Sequence, residues 1–151
     1  MRTRAGALLL LFAFGPAAAA QKAPPRPKFS SVKTSIAKCK TKIKGRDGSD
    51  PVLTCPAPKG FAVEVSYSAE STIVTIKGAG DKELVVDVIN PQPQLEWRLA
   101  DKQPYAVLLK NKQRVIVRGL PGHDRIQTEV ELSAHKNAAA HAAALADAMF
   151  P

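Results

Sequence analysis

Four lysines, Lys38, Lys40, Lys42 and Lys44, alternate with Cys39, Thr41 and Ile43. Successive side chains leave an extended backbone on opposite faces. As a strand, this segment therefore puts all four ammonium groups on one face and turns Cys39, Thr41 and Ile43 inward. A stripe of that kind suits an anionic envelope component, such as a phosphorylated glycan or lipid headgroups, or an acidic protein. The pattern has a second use, because lysines along a sheet edge keep it from pairing with other chains. Arg98, Lys110, Arg114 and Arg118 extend the stripe or lie on the opposite side, and the sequence leaves both arrangements open. Nucleic acid is not an expected partner. Single-strand binders interleave aromatics with the basic residues for base stacking, whereas Phe61, Tyr67 and Trp97 fall on faces that read as core.

The other residues with chemical potential do not form a constellation. His123, His135 and His141 lack the spacing of a helical metal pair, and no HxxxH or HExxH run occurs. His123 follows Pro121-Gly122 and reads as part of a turn. Glu129 and Glu131 share a strand face, as a carboxylate pair in a glycosidase would, but adjacent outward carboxylates are ordinary surface charge. A nucleophile elbow, a phosphate-cradling glycine loop and a dinucleotide fingerprint are all missing. The sequence thus predicts no catalytic residues, no metal site, no cofactor and no enzymatic activity.

Compartment follows from the N-terminus and the cysteines. Arg2 and Arg4, the apolar run from Leu8 to Phe14, and Ala17 to Ala20 before Gln21 have the order of a secretory signal peptide over residues 1–20. The apolar run is too short to span a bilayer, which takes about 20 residues. Its removal from the 151 residues leaves 131, with a net charge of +7 in place of +9. Periplasmic or extracellular residence favours a disulfide, and with only Cys39 and Cys55 present the pairing is unambiguous. A loop of about 15 residues closed in this way contributes roughly 3 kcal/mol in the chain-entropy model.

The elements that must position these residues are mostly strands. Gln21 to Ser30 is rich in proline and lysine and reads as an extended leader; residues 31–151 are then one β-rich domain. Phe61, Val63, Val65 and Tyr67 point one way, with Glu64, Ser66 and Ser68 opposed. Thr72 to Lys77 and Glu83 to Ile89 flank a Gly-rich turn. Leu95, Trp97 and Leu99 share a face, Tyr105 to Lys110 returns, Gln113 to Arg118 follows a turn, and Ile126 to Leu132 gives the last strand. Asn137 to Phe150 is alanine-dense, with His141, Leu145 and Met149 aligned at helical spacing, and predicts a helix that closes the sheet. The expected fold is mainly β (α+β): an antiparallel meander or sandwich-like sheet with an Ala-rich C-terminal helix and one disulfide.

The order of parts also carries a resemblance. A basic segment with two spaced cysteines precedes Gly60-Phe61-Ala62-Val63-Glu64-Val65-Ser66, then Glu96-Trp97-Arg98-Leu99, then Pro104-Tyr105-Ala106-Val107-Leu108-Leu109, then Ala144-Leu145-Ala146-Asp147-Ala148. This arrangement resembles a group of small secreted proteins of alphaproteobacteria with no known activity. The resemblance implies a periplasmic compartment and a domain plan only. Members of that group often carry a further cysteine near the final strand, and this chain has none there. Two classes of function follow. One is an exported binding or inhibitory module, for which the basic charge points to an anionic partner. The alternative is a structural or assembly accessory of the cell envelope without a defined ligand pocket.

Overall fold

The computed structural model describes residues 24–43, 51–68, 70–92 and 94–151. The expected signal peptide at 1–20, the start of the leader at 21–23 and Lys44 of the stripe lie outside the described residues. The chain forms β1 (Phe29–Ser35), a single 3-10 turn (Ile36–Lys38), β2 (Lys40–Ile43), β3 (Val52–Cys55), β4 (Ala62–Tyr67), β5 (Thr72–Lys77) and β6 (Glu83–Val88). It continues with β7 (Gln94–Ala100), β8 (Gln103–Lys110), β9 (Arg114–Gly119), β10 (Gln127–Glu131) and α1 (Ala138–Met149). The strands build two five-stranded antiparallel sheets. Sheet A has the order β1-β7-β8-β9-β10, and sheet B the order β2-β3-β4-β5-β6. The expected architecture is present: antiparallel β-structure, one C-terminal helix and one disulfide.

The central strands of sheet A, β7, β8 and β9, are buried on both faces. One face meets sheet B through Leu95, Trp97, Val107 and Leu109, which pack with Val63, Val65, Val74 and Ile76. The other meets α1 through Tyr105, Ala106, Leu108, Val115 and Val117. Two-sided burial explains why Tyr105 to Leu109 is a continuous apolar run while β4 and β5 alternate. Trp97 is fully buried, as its shared face with Leu95 and Leu99 predicts. Its ring lies 5.6 Å from that of Phe61, and its Nε1 donates to Thr34 Oγ1 at 2.9 Å. Thr34 in turn donates to the Pro56 carbonyl, so the buried indole N–H is satisfied within a polar chain that links the two sheets.

Local geometry explains two sharp features. The β7–β8 hairpin turns on Asp101 and Lys102, both at positive φ, as a two-residue turn matched to the strand twist requires. Gly119, at the end of β9, sits where a Cβ would come within 1.9 Å of the His123 carbonyl, so only glycine admits the return of the loop to Ile126.

Three expectations are corrected. Of the aligned His141, Leu145 and Met149, the last two pack half-buried against the core while His141 is exposed, and the fully buried line of the helix is Ala138, Ala142 and Ala146. Methyl groups let the helix axis approach the sheet more closely than larger side chains would. Tyr67 is 41% exposed and does not join the core with Val63 and Val65, because it ends β4 beyond the cover of sheet A. Finally, Phe29 and Ser30, read as leader, begin β1 and pair with Ala100 and Leu99. The leader is held just before them by reciprocal bonds from the Lys28 N–H to Asp101 Oδ1 and from the Asp101 N–H to the Lys28 carbonyl, each 2.9 Å.

Candidate functional site

The lysine segment occupies the corner where the chain passes from sheet A to sheet B. Buried Ile36 anchors the 3-10 turn, which ends when the Cys39 N–H donates to the Ile36 carbonyl at 3.1 Å. Lys38 belongs to this turn and β2 starts only at Lys40, so the segment is not the single strand that its alternation suggests. Thr41, expected inward, is exposed, because β2 is an edge strand bonded only to β3 and its inner face extends past the sandwich. Lys38, Lys40 and Lys42 are all exposed. Cys39, placed between the first two, is bonded to buried Cys55 of β3, with the Cα atoms 4.1 Å apart. The disulfide thus fixes the backbone that presents the lysines.

The charges near this corner are not equivalent. Lys42 donates to Glu64 Oε1 across β3, and Lys77 of β5 donates to Oε2 of the same carboxylate at 2.9 Å. These two ammonium hydrogen bonds hold the Glu64 carboxyl below the usual carboxylate range, and Glu64 raises Lys77 in return. Lys38 and Lys40 have no carboxylate within ion-pair distance among the described residues.

The arginines that could have extended the stripe do not. Arg114 and Arg118 lie on β9 in the other sheet and clamp Glu129 of β10 from two sides, at 2.5 and 2.8 Å, which lowers the Glu129 pKa. Arg98 points from β7 toward α1 and is only 9% exposed. Its Nη2 donates to both Asp147 carboxylate oxygens, at 2.7 and 2.6 Å, its Nε donates to Oδ1 at 3.1 Å, and its Nη1 donates to Ser31 at 2.5 Å. The Tyr105 hydroxyl donates to the same Asp147. Burial and the adjacent carboxylate push the Tyr105 pKa well up, which makes it a structural donor and a poor acid–base group. A register shift places Tyr105 as the extra residue opposite Arg98, and this bulge aims its ring at the helix.

This triad was not legible in the sequence. The partners are 49 and 42 residues apart, and the only local signal was an aspartate in the last turn of an otherwise uncharged helix. A carboxylate there faces the negative end of the helix dipole and calls for a cation.

The three histidines do not come together in one place. His135 and His141 stack at 4.2 Å on the surface, while His123 stacks on Phe150. No group of three or more metal-ligating side chains occurs among the described residues. A concavity of about 770 Å³ opens between the leader prolines and the end of α1, with Phe29, Phe150 and Asp147 on its walls. No helix of the described residues is long and apolar enough to cross a membrane. Comparison with family models, with curated proteins and with solved structures returns no match.

Proposed function

We propose that the chain is an exported binding module whose contact surface is the disulfide-fixed basic corner of Lys38, Lys40 and Lys42, continued by Lys44, and whose partner is anionic. The observation that supports this reading is the placement of Cys39 between Lys38 and Lys40: the covalent bond to Cys55 fixes the backbone that carries these lysines before any partner arrives. Pre-ordering lowers the entropic cost of binding. A reactive role for the cysteines has no support, since neither is free.

The test replaces Lys38, Lys40, Lys42 and Lys44 by Gln and measures binding to heparin as a soluble polyanion. The control replaces four exposed lysines elsewhere, Lys59, Lys82, Lys102 and Lys112, and removes the same charge. The corner variant is expected to lose at least about tenfold in affinity while the control stays within about threefold, because screened charges act over about 10 Å. Equal losses would show that only net charge matters, and would overturn the reading.

A further inference from the structure

Among the described residues, sheet B ends in two strands that are each hydrogen-bonded on one side only, β2 and β6. Such edges present rows of unpaired backbone N–H and C=O groups and are templates for pairing with another chain. Their charges are opposite. From Lys38 to Ile43 there are three lysines and no carboxylate, whereas from Asp81 to Val88 there are Asp81, Glu83 and Asp87 against Lys82. Glu83 and Asp87 are exposed, and between them Val85 is 54% exposed; Ile89, just past the strand, is 64% exposed. Among the described residues, two of the four large apolar side chains left in solvent therefore lie on or next to the acidic edge.

We infer that the anionic partner of the basic corner is a second copy of this chain, with β6 of one copy adding to β2 of the next so that sheet B continues from molecule to molecule. This rests on the reading of the basic corner as a binding surface and names its partner. Within sheet B the charges favour this pairing over the alternatives: β2 against β2 and β6 against β6 each bring like charges together, and β2 against β6 brings opposite ones. Four antiparallel steps separate β2 from β6, so the two strands run in the same direction. A copy translated along the sheet consequently joins in parallel. The contact is heterologous and leaves a free edge at each end, so the assembly grows by addition and does not stop at a dimer.

Two charge-swapped variants test this in the full mature chain. One carries Lys38→Glu and Lys40→Glu, the other Glu83→Lys and Asp87→Lys; all four sites are exposed, and unchanged melting curves verify folding. Sedimentation velocity is run across protein concentration at low and high salt. The wild type is expected to self-associate in a concentration-dependent manner that weakens with salt. Each variant alone is expected to lose at least about tenfold in association constant through like-charge apposition, and an equimolar mixture of the two to recover it, since each supplies the edge the other lacks. A wild type that stays monomeric at every concentration and low salt overturns the inference, as does a mixture that fails to recover. If the wild type stays monomeric yet binds heparin through the lysines, the basic corner stands and only its partner is wrong. If heparin binding is also insensitive to the lysines, both fall.

Discussion

Removing the carboxylate of Asp147 isolates the Arg98 network. In Asp147→Ala the Arg98 guanidinium keeps its position between sheet A and α1, with about 10% of its side chain exposed, and loses three charge-assisted contacts. Breaking a buried ion pair from one side costs about 3–5 kcal/mol. Asp147 itself is 22% exposed, so water replaces part of the carboxylate, and the lower end, about 3 kcal/mol, applies. The stranded Tyr105 hydroxyl adds about 1 kcal/mol. Release of a negative charge from the C-terminal end of the helix dipole returns about 0.5 kcal/mol. The net loss is about 3–4 kcal/mol. For a domain of this size that corresponds to a fall in Tm of roughly 10–15 °C. Urea and thermal unfolding followed by far-UV circular dichroism measure it. The decisive comparison is with Arg98→Met, which keeps the aliphatic stem. In that background Asp147→Ala should cost only about 1 kcal/mol, giving a coupling energy of about 2–3 kcal/mol. A loss below about 1 kcal/mol in the wild-type background, or the same loss in both backgrounds, would show that the pair does not hold the helix to the sheet.

Trp97→Ala should cost about 3–5 kcal/mol in urea unfolding, because the ring is fully buried against Phe61 and the change also strands Thr34. Reduction of Cys39–Cys55 should lower stability by roughly 3 kcal/mol under non-denaturing thiol conditions, and intact mass of the exported protein should show both cysteines oxidised and Gln21 at the N-terminus. Glu64 and Glu129 have folded pKa values below 4.5, so the stability they contribute is present above the unfolded carboxylate pKa and is lost as pH falls through the lowered values. The urea midpoint should drop in that acid window, and Glu64→Gln with Glu129→Gln should flatten the drop. Tyr105 has the opposite sign: its raised pKa gives stability that is complete below pH 10 and lost as pH rises further. In a Tyr67→Phe background no phenolate absorbance should develop until the protein unfolds in alkali.

The sequence was legible where burial is one-sided and local. β4, β5 and the first half of β7 alternate because one face of each meets the inter-sheet core, and with only two cysteines in the chain their pairing left no choice. It was not legible where burial depends on distant partners. β1 reads Phe-Ser-Ser-Val-Lys-Thr-Ser and is exposed at four of seven positions, so no periodicity marks it; its place comes from pairing with β7, some 65 residues away. β3 is four residues long and gives too short a window for a period. The lysine stripe was read as one strand because alternation cannot reveal that Lys38 lies in a turn whose anchor, Ile36, is buried under the sandwich. Arg98 looked like surface charge for the same reason that Asp147 looked incidental: each is explained only by the other.

The two sheets differ in how much core supports them. Sheet A has a core on each face, contains the Arg98–Asp147 pair, and is closed by α1, so its strands are committed to holding the molecule together. Sheet B has one core face, and its outer face and both edges are in solvent. A sheet supported from one side is the more easily frayed, above all at β2, which has four residues and one hydrogen-bonded neighbour. The single disulfide lies at this weak strand and not in the stronger sheet. Entropic stabilisation of the whole fold would be served as well by a cross-link in sheet A that closed a loop of the same length. A bond placed next to the edge does something more: it stops β2 and its lysines from detaching while the rest stays folded. The location of the cross-link is therefore better explained by the need to keep that edge in place than by global stability.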